Sequence, residues 1–158
     1  MKLRNLLLLD CDGVLTPKKT FYTKEGKALK VFSSDDSYAI KYFHNLDFEI
    51  LILTADQDGL LVTEKRGSDW KVNVIFNKDK LSELLHLKSK TKFKKIFYVG
   101  NGPEDIPVLD EVDLFFAPRD SRPEVLNIKS NKIIILKKDG GEGVLDEVFN
   151  YLNEYIKQ

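Results

Sequence analysis

Two aspartates, Asp10 and Asp12, stand one residue apart where a short apolar run ends, in the stretch Asp10-Cys11-Asp12-Gly13-Val14-Leu15-Thr16. Successive side chains of an extended chain point to opposite faces, so both carboxylates can project to one side while Cys11 points to the other. Two carboxylates this close repel each other unless a cation or a shared proton compensates. Asp10 could then attack an electrophile such as phosphorus, and Asp12 could serve as general acid and base.

Three later features favour such chemistry over a solvated acidic loop. Thr54 ends the second apolar run, Lys80 begins a helical pattern, and Gly100–Asp105 follows the fourth apolar run. A hydroxyl and an ammonium are donors that stabilise the charge on non-bridging phosphoryl oxygens. Mg²⁺, a hard cation, would bind the carboxylates beside the phosphate. Taken singly, Thr54 is typical of a turn and Lys80 of a solvated helix, so the prediction depends on their order along the chain.

The elements that must position these residues are apolar runs alternating with amphipathic stretches. The runs are rich in Leu, Ile, Val and Phe without polar alternation, as buried parallel strands are. The predicted strands are Asn5–Leu9, Phe48–Leu53, Val72–Phe76, Lys95–Val99, Asp113–Phe116 and Lys132–Leu136. The predicted helices are Asp35–Leu46, Gln57–Arg66, Lys78–Leu87, Pro103–Leu109, Arg122–Ile128 and Glu142–Ile156. This alternation predicts one α/β domain over residues 1–158, a Rossmann-like parallel sheet with helices on both faces.

One segment interrupts the alternation directly after the first strand. Lys18–Phe32 contains Thr20-Phe21-Tyr22, a turn with Gly26, and Ala28–Phe32, which together predict a small β-hairpin. Ligands of open α/β sheets bind beyond the carboxyl ends of the strands. The hairpin is therefore expected to lean over the site.

Composition limits the classes of function. Twenty-five Lys and Arg residues balance 25 Asp and Glu residues, which argues against a dedicated binder of nucleic acid or of an anionic membrane. The apolar runs are far shorter than the ~20 residues that span a bilayer. Cys11 is the single cysteine, so an internal disulfide is excluded and a reducing cytoplasm is the expected location.

In this order the motifs resemble those of the haloacid dehalogenase superfamily of aspartate-nucleophile phosphohydrolases. Asp10–Thr16 is similar to its first motif and Thr54 to the hydroxyl residue of its second. Lys80 is similar to its third-motif lysine, and Gly100–Asp105 to its acidic fourth motif. The resemblance implies a Mg²⁺-dependent phosphomonoester hydrolase that works through an aspartyl-phosphate. It also implies that the metal ligands are Asp10, the main-chain carbonyl of Asp12 and Asn101. Asp105 is expected to orient a metal-bound water.

The closer likeness is to capless members, the 3-deoxy-D-manno-octulosonate 8-phosphate phosphatases and the related domain of acylneuraminate cytidylyltransferases. Three further stretches, Phe32–Lys41, Ala117–Val125 and Gly140–Val144, resemble segments of that family. The resemblance implies a sugar phosphate substrate, such as an octulosonate 8-phosphate or a nonulosonate 9-phosphate. It also implies a homotetramer whose hairpins associate and whose glycine tail reaches a neighbouring active site. The implied substrate-binding positions are Gly13, Asp36, Ala55, Asp56 and Gly143.

Departures from the family pattern leave alternatives open. The second motif usually reads Ser/Thr-Gly-Arg, but here it is Thr54-Ala55-Asp56, while Asn101 and Gly102 stand where acidic residues are usual. A catalytically weak domain that serves mainly as an oligomerisation platform is the second hypothesis. Asn101 could also be a cap of the helix that begins near Pro103 rather than a ligand. A two-component receiver domain is disfavoured, because its phosphoacceptor aspartate ends a later strand, where Asn77 stands here.

Overall fold

The computed structural model describes residues 3–157, so the predicted domain of residues 1–158 includes three terminal residues outside the described part. The strands are β1 Asn5–Leu9, β2 Phe21–Thr23, β3 Gly26–Leu29, β4 Phe48–Thr54, β5 Asn73–Phe76, β6 Ile96–Val99, β7 Leu114–Ala117 and β8 Ile133–Ile135. The α-helices are α1 Ser34–Asn45, α2 Leu60–Trp70, α3 Lys80–Lys90, α4 Pro123–Leu126 and α5 Val144–Tyr155. A 3-10 helix covers Pro103–Glu111.

Within residues 3–157, six strands form a parallel sheet in the order β5-β4-β1-β6-β7-β8. Alternate residues of the central strand β1 face opposite sides. Leu7 and Leu9 pack with α1 and α5, whereas Leu6 and Leu8 pack with α3, the 3-10 helix and α4. The predicted Rossmann-like sheet with helices on both faces is confirmed.

Two of the predicted helices differ clearly from the observed ones, and the other four differ by one to three residues at their ends. The helix expected at Gln57–Arg66 lies later, at Leu60–Trp70, because Gln57 forms a turn in which its carbonyl accepts the Leu60 N–H. The segment expected to be an α-helix at Pro103–Leu109 is a 3-10 helix with Pro107 inside it. Proline lacks an N–H and clashes with the carbonyl four residues earlier, which disfavours regular α-helix there.

The order of the strands creates a crevice at the carboxyl end of β1. β1 lies between β4 and β6, so the chain passes through the hairpin and α1 to β4 on one side of β1 and only later reaches β6 on the other side. Crevices of this kind are where open α/β sheets bind ligands. The residues that follow β1, β4 and β6 therefore meet at one edge.

The hairpin predicted at residues 18–32 is confirmed as the antiparallel pair β2 and β3. Phe21, Tyr22 and Val31 are exposed, whereas Phe32 packs edge-on against Trp70 at 5.9 Å between ring centroids. The hairpin thus rests on the domain through Phe32 and presents other apolar side chains outward. In the described residues no helix is both long and apolar enough to cross a bilayer.

Candidate active site

A cleft of about 440 Å³ opens at the carboxyl end of β1. Its lining residues come from the β1 loop, the end of β4, the start of α3, the 3-10 helix and the hairpin segment. They are Asp10, Asp12, Gly13, Pro17, Lys18, Thr20, Lys27, Thr54, Ala55, Asp56, Lys80 and Glu104. The structure therefore brings together all the predicted catalytic residues and most of the predicted binding residues.

Asp10 and Lys80 form a buried ion pair at the floor of the cleft, with 2.8 Å between Asp10 Oδ1 and Lys80 Nζ. The Cys11 N–H also donates to Asp10 Oδ1 at 2.8 Å. Burial, followed by the charge of Asp105, raises the pKa of Asp10 above its usual range, although Lys80 opposes this. Burial acts to lower the pKa of Lys80, but the two carboxylates outweigh it and raise that pKa. Lys80 therefore stays charged, and a further cation beside Asp10 would favour its carboxylate form.

Asp105 lies behind Lys80 and is fully buried. Its Oδ1 accepts hydrogen bonds from Lys80 Nζ and Tyr98 Oη, both at 2.6 Å. Its Oδ2 accepts the N–H groups of Asn101 and Gly102 at 2.8 and 3.0 Å. Both oxygens are thus engaged in holding Lys80 and the loop after β6. The predicted orientation of a metal-bound water by Asp105 stays a prediction.

Asn101, Asp10 and the main chain of Asp12 converge at one point. The buried Asn101 amide lies 3.1 Å from Asp10 Oδ2 and 3.1 Å from the Asp12 carbonyl oxygen. With its nitrogen toward them the amide donates to both acceptors, and with its oxygen toward them three oxygens converge. Octahedral Mg²⁺ places neighbouring ligand oxygens about 2.9 Å apart. These residues therefore fit a magnesium ion, and the amide faces Asp10 and the Asp12 carbonyl rather than capping the 3-10 helix.

Glu104 is an acidic residue of the cleft that the sequence analysis missed. One carboxylate oxygen from each of Asp10, Glu104 and Asp105 lies within 4.8 Å of the others. A Cβ atom added to Gly102 would be only 2.6 Å from Glu104 Oε1. The Glu104 carboxylate thus occupies the space that a side chain at position 102 would need. It supplies negative charge beside the site where Gly102 supplies none.

Two hairpin lysines, Lys27 and Lys30, were also missed. Lys27 Nζ lies 2.6 Å from Asp56 Oδ1, and Lys30 Nζ lies 3.0 Å from Asp56 Oδ2. Burial acts to raise the pKa of Asp56, but hydrogen bonding and charge from the two lysines outweigh it and hold that pKa at about 2. Asp56 is therefore ionised and anchors the hairpin. The periodicity of the sequence alone could not have indicated that Lys27 and Lys30 are its partners.

Thr54 and Gly13 complete the floor of the cleft. The Thr54 hydroxyl oxygen accepts the Asp56 N–H at 3.1 Å, which leaves its O–H hydrogen to donate into the cleft. Gly13 has a φ of 80°, a left-handed conformation in which a side chain is strained. Since the chain turns back there, the Asp12 carbonyl can face Asn101.

Two predicted substrate-binding residues, Asp36 and Gly143, are not brought to this cleft. Asp36 is fully buried on α1 and accepts the Leu145 N–H at 3.1 Å. Gly143, with a φ of 79°, precedes α5 and stands against Asp35. Both residues hold α1 and α5 together within this chain, so their contact with substrate stays a prediction.

The glycine tail expected to reach a neighbouring active site packs on its own chain. The Gly141 N–H donates to the Val14 carbonyl at 2.8 Å, and a side chain at Gly140 would collide with the Gly13 carbonyl. The tail therefore supports the loop that follows β1.

The comparisons with known proteins agree with this geometry, although no protein-family profile matches the chain. The chain is 29% identical over 147 residues to the 3-deoxy-D-manno-octulosonate 8-phosphate phosphatase KdsC of Yersinia pestis, covering 90% of this chain and 76% of that protein. The solved Yersinia pestis phosphatase superposes with a TM-score of 0.81 at 28% identity, covering 94% of this chain and 79% of the other.

A third comparison shows the fold alone. The Moraxella catarrhalis 3-deoxy-D-manno-octulosonate 8-phosphate phosphatase, solved with magnesium, phosphate and KDO, has a TM-score of 0.81 at 21% identity, covering 98% of this chain and 92% of that one. The resemblance of the chain to the haloacid dehalogenase superfamily, predicted from its motifs, is therefore confirmed. Within that superfamily it is similar to the KdsC phosphatases.

Proposed function

We propose that the protein is a Mg²⁺-dependent phosphatase that hydrolyses a sugar phosphate monoester through an aspartyl-phosphate at Asp10. The observation that carries the proposal is the buried Asp10 carboxylate with Lys80 at 2.8 Å on one oxygen and the Asn101 amide at 3.1 Å from the other. The similarity to octulosonate 8-phosphate phosphatases supports a phosphorylated sugar acid of that kind as substrate.

In the first half-reaction an Asp10 oxygen forms a bond to phosphorus while the ester P–O bond breaks in line. Asp12 gives its proton to the departing alkoxide, which leaves as an alcohol. Its side chain is 41% exposed, so it can reach a leaving group in the cleft. Lys80 and Thr54 donate to the non-bridging oxygens, whose charge must be stabilised.

In the second half-reaction water attacks the phosphorus of the aspartyl-phosphate. The Asp12 carboxylate takes a proton from that water, the Asp10 O–P bond breaks, and inorganic phosphate leaves. Asp10 is thereby restored as a carboxylate and Asp12 as an acid. One residue serves in both directions because the leaving group and the water approach from the same side.

Asp10 Oδ2, the Asp12 carbonyl and the Asn101 amide oxygen would hold the magnesium ion. When bound, the ion neutralises charge on the phosphoryl group and keeps Asp10 ionised despite its burial. Glu104 lies near enough to add negative charge on the cleft side. This arrangement does not favour the oligomerisation platform, since nothing in such a role requires four reactive side chains in one cleft.

Assembly as a homotetramer through the hairpins is part of the proposal. Phe21, Tyr22 and Val31 are 54%, 65% and 51% exposed, an apolar surface that a neighbouring subunit would cover. The hairpin is too small to close the cleft by itself, so a neighbour would also exclude water. A single buried cysteine, Cys11, suits the reducing cytoplasm in which we place the enzyme. Light scattering that gives a monomer at micromolar concentration would contradict the assembly.

The decisive experiment screens the purified protein against a panel of phosphomonoesters with Mg²⁺ and with EDTA. We expect release of phosphate from sugar phosphates only with the metal. Acid quenching followed by peptide mapping should find the phosphoryl group on Asp10. Absence of hydrolysis across the panel, or a phosphoryl group on another residue, would contradict the proposal.

A further inference from the structure

Lys30, at the end of the hairpin, is a buried cation that the mechanism above does not use. Its side chain is only 4% exposed, although it comes from a segment whose other residues are largely solvent-accessible. Lysine side chains are rarely buried this far unless they are paired. The contacts of its ammonium group therefore indicate what it does.

The Lys30 ammonium joins the general acid to the body of the domain. It donates to Asp12 Oδ2 at 3.1 Å and to Thr63 Oγ1 at 3.0 Å, with Cys11 Sγ at 3.8 Å. Thr63 is itself fixed, because its hydroxyl donates to the Gly59 carbonyl at 3.0 Å. The ammonium is thus bound to Thr63 of α2 on one side and donates a hydrogen bond to the Asp12 carboxylate on the other.

Asp12 depends on this contact for its orientation. Its carboxylate is half-exposed, and among the described residues the hydrogen bond from Lys30 is the one that its side chain makes. A half-exposed aspartate has several rotamers available. Proton transfer requires the acid within hydrogen-bond reach of the leaving oxygen, so a fixed rotamer raises the rate.

Asp56 offsets the repulsion between the two hairpin lysines, Lys27 and Lys30. It pairs with Lys27 through one oxygen and with Lys30 through the other. The arginine usual at this position in the similar family would place a third cation between them. The aspartate and the two lysines therefore form one unit, in which only Lys30 also contacts Asp12.

We propose that Lys30 is a positioning residue that fixes the Asp12 carboxylate for protonation of the leaving group. The inference rests on the proposed function, because it assigns Lys30 a part in the same hydrolysis. It predicts a defect confined to esters whose leaving group needs a proton.

The test compares two substrates that differ in this need. An alkyl ester such as glycerol phosphate leaves as an alkoxide that must be protonated, whereas p-nitrophenyl phosphate leaves as a stable phenolate. The rate of leaving-group release is measured in a single turnover, which isolates the first half-reaction. General acid catalysis contributes roughly 10²–10⁴-fold, so Lys30→Met should slow alkyl release by about 10–100-fold and nitrophenol release much less.

Lys27→Met is the matched control, because Lys27 lies on the same hairpin and pairs with the same Asp56 but does not contact Asp12. It is expected to leave the ratio of the two rates at the parental value, whatever it does to KM. Thr63→Val removes the anchor of Lys30 without touching Asp12. It should shift the ratio in the same direction as Lys30→Met, by a smaller factor.

The results that would contradict the role of Lys30 differ from those that would contradict the proposed function. Equal losses on both substrates in Lys30→Met, or an equal shift of the ratio in Lys27→Met, would overturn the role of Lys30. If Lys30→Met does not fold, as judged by circular dichroism, an unchanged ratio in Thr63→Val overturns it instead. A parental protein that hydrolyses neither ester would contradict the proposed function, a different failure.

Discussion

The floor of the cleft and its hairpin wall are built in different ways. Asp10, Lys80 and Asp105 in the floor have side chains that are 6% exposed or less, and they lie after a strand, at a helix start and in the 3-10 helix. Lys27 and Asp56 in the wall are exposed at 18% and 14%. The floor matches the superfamily pattern at Asp10, Thr54 and Lys80, whereas Asp56 in the wall departs from it. This difference agrees with the proposed phosphoryl chemistry in the floor and predicts that the wall recognises the rest of the substrate differently from the similar phosphatases.

The largest expected effect is on the floor. Asp10→Asn keeps the shape of the side chain but removes the nucleophile, and such losses reach on the order of 10⁴-fold or more in other covalent enzymes. We expect kcat on a confirmed substrate to fall by that order while the circular dichroism spectrum stays parental. Hydrolysis at the parental rate would mean that the floor is not the site of the chemistry.

Stability should also distinguish the floor from the wall. Lys80→Met leaves Asp10 and Asp105 buried together without their shared cation, a loss of about 3–5 kcal/mol in unfolding free energy. Lys27→Met should cost only about 1 kcal/mol, because Asp56 keeps Lys30 as a partner and lies nearer to solvent. Urea unfolding followed by tryptophan fluorescence measures both. Similar losses in the two variants would show that floor and wall are equally integral to the fold.

At the metal site, two substitutions should change the affinity for Mg²⁺ in opposite directions and by a smaller factor. Asn101→Asp adds a carboxylate facing Asp10 and the Asp12 carbonyl, so the Mg²⁺ concentration for half-maximal binding should fall by about 10-fold. Glu104→Gln should raise it. Calorimetric titration of Mg²⁺ in the absence of substrate measures binding directly, with Glu154→Gln on the exposed face of α5 as the charge-matched control. An unchanged affinity in Asn101→Asp would exclude Asn101 as a ligand.

The smallest effect concerns Asp36, a buried carboxylate outside the cleft that, within residues 3–157, forms no lysine ion pair like that of Asp10. Burial raises the pKa of Asp36 to about 7, although the Leu145 N–H opposes this. The folded state then binds more protons than the unfolded one between about pH 4 and 7, so stability falls as the pH rises through this window. Asp36→Asn should remove about 1–2 kcal/mol of that fall between pH 5 and 7. Thermal melts across this range measure it, and an unaltered slope would show that Asp36 titrates normally.

Much of the fold and the floor could be predicted from the sequence. Apolar runs predicted the strands, and the residues that directly follow β1 and β4 had to meet at one edge, because carboxyl ends of parallel strands lie together. Asp10 and Asp12 followed from their spacing at a strand end, whereas Thr54 and Lys80 followed only from the order of the motifs. The departure from α-helix at Pro107 was open to prediction, because Pro103 suits the first turn but a proline four residues later lacks the N–H and clashes with the carbonyl of residue 103.

The sequence by itself determined the sheet, the hairpin and the order of the reactive residues, because these follow from local periodicity and strand ends. Only the tertiary structure decided which charges meet. Lys30 reaches Asp12 from 18 residues away and Thr63 from 33 residues away, through a hairpin that folds back over the edge of the sheet. The same holds for Asp36, which resembles a binding residue in sequence but lies between α1 and α5. The type of a charged residue does not show whether it lies in a cleft or in a contact between helices. The packing of elements that are distant in sequence decides which of these two places it occupies.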